Sequence, residues 1–421
     1  MNKLLSVTFL TGLLTFARMV AGFIVAKIVA IYTGPTGIAM LGQLQNVING
    51  VSGLVNSPLN TSIVRFTAEN YRTGYEECAI WWRVSIRWAI IIYAVIAPMM
   101  VVSSKQLSSF LFESDLYYWV IIASALALPF TAVGTLINSI INGQQLYIQY
   151  VLLGMVSVII SSMIMISLVV IKGVEGALIA LALQNAIIGI AMFGYGLRRP
   201  WFKLQYFFGN ISKEQSKIIL GYTFMALVSA LTMPVVLMLI RKFLVMEVGW
   251  EHTGYWQAVW KISETYLAVV TMSLSIYYLP QLSSINDITS LRKEIYKTVK
   301  VVMPIVILMA FAIYMLRDIA ISLLFTETFK GARDLFLVQL CGDVVKILSW
   351  LFAYALISRG ETKLFIASEA ISAITFILLA FFCIKFYGVQ GANIAYLANY
   401  VIYFILIYYC VFYRLKSHRC Q

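Results

Sequence analysis

Apolar runs long enough to cross a bilayer recur from one end of this chain to the other, and they decide its class before any motif is read. About 20 mainly apolar residues suffice for one helical crossing. Such runs fall at 4–31, 37–63, 80–102, 117–141, 147–171, 174–197, 217–243, 254–280, 298–319, 333–357, 364–386 and 390–413. The connections between them are under about 20 residues, which leaves no room for a soluble domain. With 61% hydrophobic and only 12% charged residues, the expected fold is an all-α polytopic membrane protein of twelve transmembrane helices. The first run has Lys3 as a charged flank, like a secretory signal. It is too long for one, carries Arg18 and Lys27, and lacks a small-residue cleavage site, so it is expected to be retained.

Basic residues set the orientation, because loops rich in Lys and Arg stay cytoplasmic. Seventeen lie at the amino terminus, in the connections after even-numbered spans and in the tail, against eight on the opposite side, where Arg241 and Lys242 are counted. Both termini are therefore expected in the cytoplasm. Five cysteines without CxxC spacing imply neither a disulfide framework nor a metal site, and the two histidines are isolated. No catalytic constellation, cofactor, metal or nucleic-acid partner is implied.

The chain also repeats itself. KGVEGALIALALQN at 172–185 returns as YGVQGANIAYLAN at 387–399, aligning Gly173, Gly176 and Ala177 with Gly388, Gly391 and Ala392. LSSFLF at 107–112 echoes AISLLF at 320–325, and Gly143 after the fourth span echoes Gly360 after the tenth. Such echoes, in order and at nearly one offset, predict two six-helix lobes, 1–197 and 217–413, joined by a cytoplasmic connection 198–216 and followed by a tail 414–421. Six is even, so both lobes enter from the same side and should be related by a pseudo-two-fold axis along the membrane normal. That is a transporter architecture, with substrate between the repeats.

Charges inside spans mark where function is expected, since each costs about 2.5 to 3.5 kcal/mol at a helix centre unless it is paired or faces a cavity. Lys261 with Glu264, and Asp343 with Lys346, stand at i, i+3, where each can neutralise its neighbour. Glu369 has no such local partner and is a candidate for proton uptake. Arg18 and Lys27 are nine residues apart and fall on opposite helix faces; Arg18 is the deeper. Arg83 and Arg87 share a face, with Arg87 deep enough to point inward and Arg83 expected to snorkel to the interface. In the second span Asn46, Asn49, Gly53, Asn56 and Asn60 share one face, with Gln43 and Gln45 near its start. Amides both donate and accept, which suits sugar hydroxyls and equally suits helix-to-helix bonding. Pro98, Pro129, Pro234 and Pro304 are expected within spans or at their edges, as bending points.

Several segments then carry a family resemblance: RMVAGFIVAKIVAIYTGPTG at 18–37, FMALVSALTMP at 224–234, RK at 241–242, GYWQ at 254–257, ISETYL at 262–267, YYLPQL at 277–282, LRDIAISLLF at 316–325 and RDLFLVQLCGDVVK at 333–346. In combination they resemble the Wzx-type flippases for lipid-linked oligosaccharides, which serve O-antigen and enterobacterial common antigen within the multidrug/oligosaccharidyl-lipid/polysaccharide exporter superfamily. The resemblance implies movement of an undecaprenyl-diphosphate-linked oligosaccharide between leaflets of a Gram-negative inner membrane, with a glycan polymerase as a partner protein and membrane lipid as surroundings. It carries over Arg18 and Lys27, Glu264, and Asp343 with Lys346. Lys261 departs from the family's small polar residue and is expected to tune the particular glycan.

Apart from the resemblance, once the residues at the span ends are assigned to the connections, six basic residues but only three acids, Glu264, Asp343 and Glu369, remain within the spans. That surplus favours an anionic cargo and disfavours the alternative of an ion-coupled exporter of small organic molecules. A membrane glycan polymerase or ligase is disfavoured by the short loops. The expected substrate-binding set is Arg18, Lys27, Asn46, Asn49, Asn56, Arg87, Lys261 and Lys346, with Glu264, Asp343 and Glu369 for ion coupling or charge pairing.

Overall fold

The computed structural model describes residues 2–414 apart from 212, 286 and 360. Gly360 of the third echo, and Lys416, His418, Arg419 and Cys420 of the tail, lie outside the described residues. The described chain is helical: α1 (Asn2–Asn56), α2 (Thr61–Asn70), α3 (Tyr75–Val102), α4 (Ser104–Phe112), α5 (Tyr118–Gly143), α6 (Tyr147–Gly196), α7 (Leu204–Phe207), α8 (Lys213–Ser273), α9 (Leu279–Ser284), α10 (Ile288–Met315), α11 (Arg317–Leu324), α12 (Phe336–Ser358), α13 (Thr362–Tyr387) and α14 (Val389–Tyr409). Three of these are helical hairpins in which one glycine turns the chain. They are α1 at Gly34 (φ 63°), α6 at Gly173 (φ 55°) and α8 at Gly249 (φ 79°). Divided at those glycines, the long apolar helices make the twelve spans. Large apolar side chains such as Phe16, Val102 and Phe386 stand on the outside, where a lipid-facing surface needs them.

The turning glycines carry the internal repeat further than the sequence motifs do. Gly34 and Gly249 are 215 residues apart, and Gly173 and Gly388 (φ 57°) are also 215 apart. Left-handed backbone strains any residue with a Cβ, so glycine is required at each turn. Three residues beyond Gly173 and Gly388 the helices close up again. A Cβ on Gly176 would lie 1.8 Å from the Leu168 carbonyl oxygen, and one on Gly391 would lie 2.1 Å from that of Cys383, another pair 215 apart. Gly176→Ala and Gly391→Ala should each cost about 1–3 kcal/mol, because backbone must give way. Gly194 meets nothing within 4 Å, so Gly194→Ala should stay within about 0.5 kcal/mol of the parent. Thermal unfolding in detergent would separate the two classes.

By contacts the chain forms two compact units, one of residues 1–33 and 40–238, the other of 34–39 and 239–421. In the first, Trp82 is fully buried, donates to Thr67 Oγ1 at 2.9 Å, and packs with Trp201, Phe207 and Ile137. The basic connection after α6 therefore docks into this core through its aromatic residues. The first part of α8 joins the same unit: Gly53 meets Ala230 at 2.7 Å from a Cβ position, Gln43 donates to the Met238 carbonyl at 3.2 Å, and Trp88 to Ser216 Oγ at 3.0 Å. Pro98, Pro129, Pro234 and Pro304 all lie inside helices.

The second unit is built around α12, whose residues 351–356 are all buried. Tyr278 donates to the Leu351 carbonyl at 2.9 Å, Asn393 to that of Leu335 at 3.0 Å, and Ser349 to that of Tyr400 at 3.2 Å. The first bond ties the segment after α8 to α12, the second ties α14 to the residue just before α12, and the third joins α12 to α14 directly. Close approach is possible because Gly342 has no side chain, and a Cβ there would meet the Tyr396 ring at 2.4 Å.

Candidate functional site

In the second unit, α8, α12, α13 and α14 bring their polar side chains into one buried cluster. Asp343 is fully buried, and accepts from Tyr266 Oη and Tyr396 Oη at 2.8 Å each, with Gln339 Nε2 at 3.4 Å. Two hydroxyl donors satisfy the carboxylate where water cannot reach it. One helical turn on, Lys346 Nζ lies 5.4 Å from the Trp350 ring centroid, 5.5 Å from Tyr400, 5.8 Å from Tyr396 and 6.0 Å from Trp260. The ammonium is thus held among four aromatic faces within the range of cation–π attraction.

The sequence reading paired Asp343 with Lys346, and Lys261 with Glu264, by spacing. Among the described residues neither pair makes an ion contact within 4 Å. Asp343 is short and its oxygens are taken by tyrosine hydroxyls, while Lys346 lies among the rings. Lys261 and Glu264 are both exposed. Glu369, without a partner on its own helix, is reached from α14: Tyr403 Oη donates to its Oε1 at 2.5 Å. Tyr396, Tyr400 and Tyr403 stand in edge contact, with ring centroids 4.9 and 6.2 Å apart. This tyrosine row links Asp343, Lys346 and Glu369.

The sequence reading missed two features of this unit. The tyrosine row repeats at helical spacing on α14, which in an apolar helix reads as ordinary core. Arg241, counted with an outer connection, is only 3% exposed. Gln257 Oε1 accepts from its Nε at 2.8 Å and its Nη2 at 2.5 Å, and the Trp256 ring lies 5.5 Å from its Cζ. Its Nη1 is buried without a partner. The GYWQ segment thus serves to hold an arginine, and its signal in the sequence was a buried-type helix carrying glutamine about two turns after the Gly249 bend.

The other candidates belong to the first unit. Arg18 and Arg87 are exposed and have no hydrogen-bond or ion-pair partner among the described residues, and Lys27 is half-buried. Arg83 is anchored to the connection, donating to the Gln205 carbonyl at 2.5 Å. The amide stripe is mixed. Asn46 is buried with Nδ2 unpartnered, Asn56 is half-buried with Oδ1 unpartnered, Asn49 is exposed and accepts from Gln45 at 2.8 Å, and Asn60 is exposed. Gly53, in the middle of that stripe, is pressed against α8, so part of this face is a helix-to-helix contact.

No protein-family model matches the chain. It is 28% identical over 400 residues, 94% of its length and 95% of theirs, to proteins named "Lipid III flippase" from Escherichia coli (strain K12) and Shigella flexneri. Among solved structures it resembles an inward-facing multidrug resistance MATE family transporter of the MOP superfamily, with a TM-score of 0.78 at 15% identity over 96% of both chains. It also resembles the lipid II flippase MurJ in an inward closed conformation, with a TM-score of 0.70 at 13% identity over 97% of this chain and 87% of that one. These likenesses show the fold: twelve transmembrane helices in two lobes.

Proposed function

We infer that this chain, as a member of the multidrug/oligosaccharidyl-lipid/polysaccharide exporter superfamily, is a transporter that flips a lipid-linked glycan and is not an enzyme. The observation that carries this reading is the likeness, along nearly the whole of both chains, to proteins named for flipping lipid III. The finer proposal is that the cargo is an undecaprenyl-diphosphate-linked O-antigen or common-antigen repeat unit. It moves from the cytoplasmic to the periplasmic leaflet of a Gram-negative inner membrane, with both termini cytoplasmic and a glycan polymerase downstream.

The residues supply a rationale for each part. A diphosphate head suits unpartnered arginine, whose planar fork gives two parallel bonds to phosphate and whose charge is permanent. Arg18 and Arg87 offer that chemistry, and the exposed side chains of Asn49 and Lys261 have donors that suit sugar hydroxyls. The polyprenyl tail stays in lipid, as moving it through protein would gain nothing. Rocking of one lobe against the other exposes the head to the other side. An exporter of small organic cations would gain from open acidic residues, whereas Asp343 and Glu369 are covered by tyrosines here.

The tyrosine row gives the resetting step a candidate. Glu369→Gln should mimic the protonated carboxyl and abolish dependence of transport on a pH gradient, while headgroup binding survives. Gradient dependence measured in vesicles would test it, and an unchanged dependence would make Glu369 structural. For the function itself, deleting the gene and identifying the lipid-linked glycan that accumulates on the cytoplasmic side is decisive. Absence of accumulation would remove the reading.

A further inference from the structure

The first unit contains an apolar cleft that none of the steps above uses. It encloses about 400 Å³ between α3, α5, α6 and the connection that includes α7, and is lined by Ile86, Ile90, Leu136, Phe193, Phe202 and Phe207 among other apolar side chains. In a membrane such a space fills with hydrocarbon. A methylene takes roughly the ~30 Å³ of a water molecule, so the cleft holds about a dozen of them. That matches one acyl chain. An undecaprenyl chain, several times longer, would leave most of its length outside.

One end of the cleft is cationic. Arg83 stands one turn before Ile86 on the same face of α3, and its guanidinium lies against Gly209, where a Cβ would come within 2.9 Å of its Cζ. It donates to the Gln205 carbonyl at 2.5 Å, while its Nε is buried with no partner. Lys203, exposed on the same connection, stands 6.0 Å over the Tyr206 ring. A carbon-lined cleft with an arginine one helical turn beyond its lining residue Ile86 is complementary to a molecule with one apolar chain and an anionic head. The positive charge bias places this end at the cytoplasmic surface, where anionic phospholipids attract basic segments.

We propose that the cleft binds an acyl chain of an anionic glycerophospholipid, with the phosphate against Arg83. The lipid would fasten the connection 201–208 to α3 and α5. The site is distinct from the headgroup chemistry of the cargo, so its failure leaves the flippase reading intact.

The test uses the full chain, purified in detergent, with retained lipid identified by native mass spectrometry. Rebinding is then measured from vesicles of phosphatidylglycerol, of phosphatidylcholine, and of phosphatidylcholine with undecaprenyl phosphate. The parent should retain one phosphatidylglycerol, and Ala132→Phe, at a small lining residue of the cleft on α5, should fill the space and lose it. Arg83→Gln should keep a lipid but lose about tenfold in preference for phosphatidylglycerol over phosphatidylcholine. If Ala132→Phe does not fold, the Arg83→Gln preference decides alone. Unchanged retention in a folded Ala132→Phe protein, unchanged preference in Arg83→Gln, or displacement of the phospholipid by undecaprenyl phosphate would each overturn the proposal.

Discussion

Asp343→Ala is expected to lower the unfolding free energy by about 3–5 kcal/mol, the usual cost of removing one member of a buried charged network. The carboxylate is fully buried and takes the hydroxyls of Tyr266 and Tyr396. Without it both hydroxyls are left in a dry interior, at about 1–3 kcal/mol each, and Lys346 loses its nearby anion. Asp343→Asn keeps one acceptor oxygen but turns an NH₂ group toward the second hydroxyl, so an intermediate loss is expected. Lys261→Ala, at an exposed position, should change stability by less than about 0.5 kcal/mol. Thermal unfolding in detergent reads all three. An alanine variant that melts with the parent would mean that the cluster contributes little to the fold.

Arg18→Ala and Arg87→Ala should each reduce glycan export by about 10- to 100-fold with little change in stability, since a charge-assisted bond is worth about 1.5–3 kcal/mol. Both side chains are exposed and make no hydrogen bond or ion pair among the described residues that truncation would break. Lysine at either position should restore part of the activity, keeping the charge but not the two-pronged geometry. Export assayed alongside membrane abundance separates this from misfolding. Normal export by the alanine variants would show that these arginines only reach the membrane interface.

Much of the architecture is legible in the sequence because hydrophobic length and repetition are strong signals. Twelve apolar runs and the 172–185 echo predict what the glycine turns at Gly34, Gly173, Gly249 and Gly388 carry out. The Gly34 and Gly249 pair escapes notice because its flanking residues differ, and only the backbone conformation makes the two equivalent. In the second unit the residue types are legible and their partners are not. Spacing along one helix pairs Asp343 with Lys346, whereas the contacts that hold Asp343 come from α8 and α14, 77 and 53 residues away in sequence. Arg241 shows the same limit from the other side. A basic residue near the end of an apolar run looks like a loop anchor until the helix is seen to continue to Gly249, which leaves Arg241 inside the unit and bonded to Gln257.

Reconstitution tests the central claim most directly. The purified protein would be placed in vesicles carrying an undecaprenyl-diphosphate-linked glycan in both leaflets, and the fraction reached by a membrane-impermeant glycan-modifying reagent followed with time. The account predicts that protein-containing vesicles expose nearly all of the glycan while protein-free vesicles stop at the outer-leaflet share. It also predicts that Arg18→Ala slows the exposure. Equal exposure with and without the protein would contradict it.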